Sequence, residues 1–163
     1  MTERARTDVE PHWLDHSQME AWLPVAGLII RLPAALDAQL QRDAGMSHFE
    51  FAVLARLSEA PGRTLRMSTL AAFAHGSLSR LSHVTKRLET KGWVYREPCP
   101  DDGRYTIAVL TDEGFTKLAE AAPGHVEIVR SLVIDALSAD ELRHVAEVAR
   151  VVLDRIDDEK PPR

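Results

Sequence analysis

A single cysteine, Cys99, is all the thiol this 163-residue sequence has. One cysteine cannot close an internal disulfide, so packing and hydrogen bonds must hold the fold, which suits a reducing compartment. Paired cysteine ligands, a His-Glu-x-x-His run, a phosphate-binding glycine loop and a nucleophile elbow are all missing, so neither an enzyme nor a cofactor is expected. His12 and His16 stand four apart, but no third ligand lies near them in sequence, and no metal site is expected. The N-terminal stretch through Trp13 lacks the apolar run of a secretory leader. The longest apolar stretch, Trp22 to Leu32, is broken by Pro24 and Arg31 and is shorter than a bilayer span. A cytoplasmic protein with no membrane partner is therefore expected.

The chain is 45% hydrophobic and 28% charged, enough apolar content for a core. The net charge is −5, which argues mildly against a non-specific binder of polyanions. The charge is uneven, however. Between Arg56 and Arg104 nine basic residues face five acidic ones, a local excess of four positive charges, which leaves −9 for the rest. A basic middle between acidic flanks is the footprint expected of a local nucleic-acid contact.

Helix signals divide the chain into three segments. Residues 1–46 hold a long helix that starts near Asp15–Ser17, where two capping boxes overlap, and runs to about Arg42 ahead of Gly45. Pro24 and Pro33 are expected to kink or split it. Its apolar residues, from Trp22 to Leu40, are too many for one stripe, and a second copy of the chain is the natural cover. Residues 47–111 open with a helix capped by Ser47 and Glu50. A short extended piece at Thr64–Met67 follows, then a brief helix capped by Ser68, a tight turn at His75-Gly76, a helix from Ser77 to Lys91, and two β-like runs. The residues joining those runs, Pro98 to Arg104, predict a hairpin loop longer than a minimal turn, with Cys99 exposed on it. Residues 112–163 predict two helices, Asp112 to about Leu137 with a bend at Pro123-Gly124, and one opened by the Ser138–Glu141 capping box. Both chain ends, 1–12 and 158–163, read as frayed tails.

This order is mainly α with a small β-hairpin wing: a winged helix-turn-helix module plus a helical dimerisation region. The chemistry lies on the helix Ser77–Lys91. Leu78, Leu81, Val84 and Leu88 share an inward face, while Ser79, Ser82, His83, Lys86 and Thr90 share an outward one. Small hydroxyl side chains let a helix sit deep in a major groove of about 12 Å. Lys86 and Arg80 can neutralise phosphates, and Ser77, Ser79, Ser82 and His83 can hydrogen-bond bases or phosphates. Arg104, at the hairpin tip, suits insertion into a narrow minor groove. The overall acidic charge leaves one alternative, a winged-helix protein-interaction module without DNA binding.

Residues 47–115 resemble the MarR (multiple antibiotic resistance regulator) family of bacterial repressors. The resembling stretches are Leu70-Ala71, Arg87-Leu-Glu-Thr-Lys-Gly-Trp-Val94, and Asp102-Gly-Arg104 followed by Val109-Leu-Thr111-Asp-Glu-Gly114. The flanking helices match too, so the resemblance reaches from about residue 17 to 157. It implies a homodimer interlocked through the first and last two helices, reading a pseudo-palindromic operator in double-stranded DNA. It places Ser79, Arg80, Ser82 and His83 in the groove and Arg104 at the wing tip, with Asp102 bracing the wing and Arg87 as that acid's partner. It further implies a small aromatic or phenolic effector, for which Trp22, Arg31, His48, Phe51 and Arg56 are the candidate lining. His83 stands where many relatives carry Arg or Lys, which weakens phosphate attraction at neutral pH. DNA affinity is therefore expected to rise on acidification if His83 meets a phosphate, and a flat titration would assign it to a base or to packing.

Overall fold

The computed structural model describes residues 11–73 and 78–159. The predicted turn at His75-Gly76, the Ser77 cap and most of both tails lie outside those residues. The chain divides into two compact units, 1–34 and 35–163.

The first helix, α1 (His16–Ala44), runs without interruption through Pro24 and Pro33, so the prolines do not split it. A proline removes one internal hydrogen bond, and 29 residues of continuous ladder outweigh two such losses. Asp15 is the cap: its carboxylate accepts from the Gln18 backbone N–H at 2.9 Å, and the Gln18 side-chain oxygen accepts from the Asp15 N–H at 2.9 Å. In the first unit, Trp22, Leu23, Val25, Leu28, Ile29 and Ile30 are all exposed. By length and composition alone α1 could cross a membrane, contrary to the expectation from its longest unbroken stretch.

The second unit holds the core. Gly45, at φ +65°, ends α1 in a left-handed residue that glycine adopts without a side-chain penalty. Ser47 then caps α2 (His48–Glu59) in a complete capping box with Glu50. β1 (Thr64–Arg66) leads directly into α3 (Met67–Phe73), so Ser68 lies inside that helix and does not cap it. α4 (Leu78–Thr90) buries Leu81, Val84, Thr85 and Leu88. The Thr85 hydroxyl is spent on the Leu81 carbonyl at 2.9 Å, which is how a polar side chain sits fully buried in the inward face. Gly92, at φ +73°, closes α4: its N–H reaches the Glu89 carbonyl and the Trp93 N–H the Leu88 carbonyl, a Schellman stop.

The strands β2 (Val94–Cys99) and β3 (Asp102–Leu110) form the wing, and β3 is the middle strand of an antiparallel sheet ordered β1-β3-β2. Cys99 pairs with Asp102, so only Pro100 and Asp101 lie between the strands. The loop is thus the shortest kind, not the longer one predicted. An irregularity between Pro98 and Cys99 re-aims the strand, and Cys99 is buried, correcting its expected exposure. Leu40, Met46, Leu54, Leu57, Leu70, Leu81 and Leu88 form one cluster with Val94, Ala108, Leu110 and Leu118. A buried leucine contributes about 1.5–3 kcal/mol, so this cluster dominates the module's stability.

Thr111 caps α5 (Asp112–Val129), which passes through Pro123 and ends before the predicted Leu137, where residues Arg130–Ile134 widen into a π-helical turn. α6 (Ala139–Asp158) starts at the Ser138–Glu141 capping box. It buries no residue, and Val145, Val148, Val152 and Ile156 lie exposed.

Thr111 and Gly114 explain one stretch of sequence physically. The Thr111 hydroxyl donates to the Gly92 carbonyl at 2.8 Å and accepts from the Gly114 N–H at 2.9 Å. A Cβ at residue 114 would lie 2.1 Å from the Trp93 carbonyl oxygen, so only glycine lets α5 dock against the start of the wing. Gly114→Ala is expected to destabilise the fold by about 3 kcal/mol or more. A denaturant midpoint equal to wild type would refute that close approach.

Candidate nucleic-acid interface

The outward face of α4 is formed as the spacing predicts. Ser79, Arg80, Ser82, His83, Lys86 and Thr90 are all exposed, and Ser77 lies outside the described residues. Ser79, Arg80, His83, Lys86, Arg87 and Thr90 line a shallow concavity of about 770 Å³. Arg80 is steadied by the Phe49 ring of α2, its guanidinium carbon 4.6 Å from the ring centroid.

Three acid–base contacts set how this helix and the wing sit on the core. The first centres on Glu50, which is buried at 3% exposure. One carboxylate oxygen accepts from the Ser47 N–H at 2.7 Å, while the other lies 3.4 Å from both Arg87 and Lys91 of the α4 end. Lys91 also donates to the Gly45 carbonyl at 3.1 Å. The second joins helix to wing. Arg96 of β2 meets Glu89 of α4 at 2.6 Å, donates its backbone N–H to the same carboxylate at 3.0 Å, and reaches the Ser82 hydroxyl at 3.5 Å. The third lies within the wing: Arg104 grips Asp102 through Nε at 2.9 Å and a terminal nitrogen at 2.6 Å. Those hydrogen bonds, with Arg66's charge adding to them, hold the Asp102 carboxyl below its ordinary range.

The expected Arg87–Asp102 brace is therefore corrected. Arg87 is drawn to the buried Glu50, and Asp102 to the arginine two residues along its own strand. The bracing falls instead to Arg96 and Glu89, which sequence reading missed. Its signal was an opposite-charge pair straddling the Gly92 stop. Arg104 keeps one guanidinium edge free of Asp102, and its side chain is 84% exposed.

The candidate effector residues fall in different places. Trp22 and Arg31 are exposed on the first unit. In the second, His48 and Phe51 of α2 meet His125 of α5, with ring centroids 5.4 and 4.4 Å from it. Burial, and then the neighbouring His48, push the His125 imidazole below its ordinary value, and its Nδ1 is buried without a hydrogen-bond partner. Arg56 pairs with Glu59 at 2.9 Å. His125 was not a candidate from sequence, since nothing local ties residue 125 to residue 51.

A basic, hydroxyl-rich helix beside an arginine-tipped hairpin defines a winged helix-turn-helix protein. Comparison with known proteins narrows this. The model of the MarR family matches residues 46–106. Sco3205, a MarR family transcriptional regulator of Streptomyces coelicolor solved in complex with DNA, is 44% identical, with 90% of this chain and 92% of that one covered at a TM-score of 0.86. AbsC, another MarR family transcriptional regulator of that organism, is 32% identical over 91% of this chain and all of the other, at a TM-score of 0.87. The transcriptional repressor MprA of Escherichia coli is 26% identical over 69% of this chain. The chain spans 54 to 64% of the length of the first curated relatives it matches. The chain belongs to the MarR family of transcriptional regulators.

The Arg96 guanidinium, chiefly by its hydrogen bond, holds the Glu89 carboxyl below its ordinary value. A lowered carboxyl stabilises the fold at pH above its unfolded value and loses that contribution as the pH falls through the folded one. Glu89→Gln is expected to cost about 1 kcal/mol or less at neutral pH, since the pair is partly solvated. The gap from wild type should close below about pH 4. Denaturant midpoints at both pH values check this, and a gap that persists in acid would refute it.

Proposed function

We propose that the chain is a sequence-specific DNA-binding regulator, acting as a homodimer on a pseudo-palindromic operator. The observation that carries the reading is the pairing of an acid-free outward helix face with Arg104 at the tip of the wing. Ser79, Arg80, Ser82, His83 and Lys86 enter the major groove, with Ser77 at the helix start, and Arg104 enters the flanking minor groove. Asp102 orients Arg104 and leaves its outer edge for the groove.

The exposed apolar residues of α1 and α6 support a second copy as the partner. The same reading takes α1 as a dimer face in a cytoplasmic protein, in preference to a membrane span. The similarity to a repressor favours repression over activation. A small aromatic or phenolic effector is part of this reading, and the His48–Phe51–His125 contact within the second unit is the candidate lining with a defined geometry. An enzymatic role is not part of this reading.

In a gel shift against the DNA upstream of its own coding sequence, binding should fall steeply with salt. Arg104→Ala should weaken it several-fold with an unchanged melting temperature. Wild-type affinity in that variant would remove the wing from the interface. A protein that sediments as a dimer yet shifts no DNA would favour the interaction-module alternative.

A further inference from the structure

Arg66 stands at the junction of β1 and α3 and acts on Asp102 of the wing through its charge. Its Cα partner across the sheet is Ile107, which places it on the same face of β3 as Tyr105, two residues nearer the wing tip. The Arg66 guanidinium carbon lies 4.7 Å from the Tyr105 ring centroid, and both residues are exposed.

The surrounding cations are committed to carboxylates. Arg104 holds Asp102, Arg96 holds Glu89, Arg87 and Lys91 share Glu50, and Arg63 meets Asp112. Among the described residues, no carboxylate lies within ion-pair distance of Arg66. An aromatic ring holds it in place, and its charge reaches Asp102 only at longer range than an ion pair. A guanidinium stacked on a ring keeps its edge N–H groups available for an anion and loses little rotamer freedom on meeting one.

We propose that Arg66, ordered by Tyr105, is a further DNA-contact residue of the wing and binds a backbone phosphate. The inference rests on the DNA-binding reading above. A hairpin entering a minor groove about 6 Å wide has a phosphate wall on either side. Arg104 is tied to Asp102, and Arg66 brings the same hairpin a cation with no ion-paired carboxylate. The contact positions the wing and reads no base.

The test uses the full-length protein, a duplex that the wild type selects from a random pool, and a scrambled duplex of equal length. Binding is measured across a salt series for wild type, Arg66→Ala and Arg66→Lys. Arg66→Ala should lose affinity several-fold and equally on both duplexes. Its slope of log affinity against log salt should be shallower by about one per wing, or about two per dimer. Arg66→Lys keeps the charge and should keep the wild-type slope. An Arg66→Ala slope equal to wild type would overturn the proposal while leaving the DNA reading intact. A loss confined to the selected duplex would overturn it in favour of a base contact. A lowered melting temperature in both variants with no change of slope would reduce Arg66 to a structural residue. Salt-independent binding, or none, by the wild type would sink the DNA reading itself, and this inference with it.

Discussion

The reading surface depends on one buried carboxylate. Glu50 sits at the first turn of α2, caps that helix, and receives both cations of the α4 C-terminal end. A carboxylate removed from water is costly unless it is fully satisfied, and here a backbone N–H, a guanidinium and an ammonium together satisfy it. The same charge therefore starts one helix and fixes where the recognition helix ends. Replacing either cation would leave the acid short of a partner, so the orientation of α4 is coupled to the integrity of α2.

From that fixed end the structure proceeds through a close joint. Gly92 stops α4, Trp93 turns into the wing, and Thr111 with Gly114 returns the chain against that turn. At residue 114 the joint leaves no room for a side chain. Glu89 and Arg96 then set the wing against the helix it flanks. Helix, turn and hairpin are thereby positioned as one body, which is what simultaneous contact with two grooves requires.

Much of this was legible locally. The Ser47–Glu50 and Ser138–Glu141 capping boxes mark their helices correctly, because a cap involves only four consecutive residues. The inward spacing of Leu81, Val84 and Leu88 predicts the buried face of α4 for the same reason. The errors arose where distant chain segments compete. Arg87 was expected beside Asp102, but the fold brings the buried Glu50 within 3.4 Å of it. Ser68 looked like a cap, but β1 delivers the chain into α3 one residue earlier. Cys99 looked exposed among prolines, yet the strand extends to it and turns it inward.

The sequence by itself determined the order of elements and the composition of the outward helix face. These follow from periodicity and capping, which need no knowledge of neighbours. Only the tertiary structure decided which acid each arginine serves. It also showed that His125 joins His48 and Phe51, and that Tyr105 holds Arg66 beside the wing. Arg87 and Glu50, His125 and Phe51, and Arg66 and Tyr105 lie dozens of positions apart, and burial and distance select among partners that the sequence leaves equivalent.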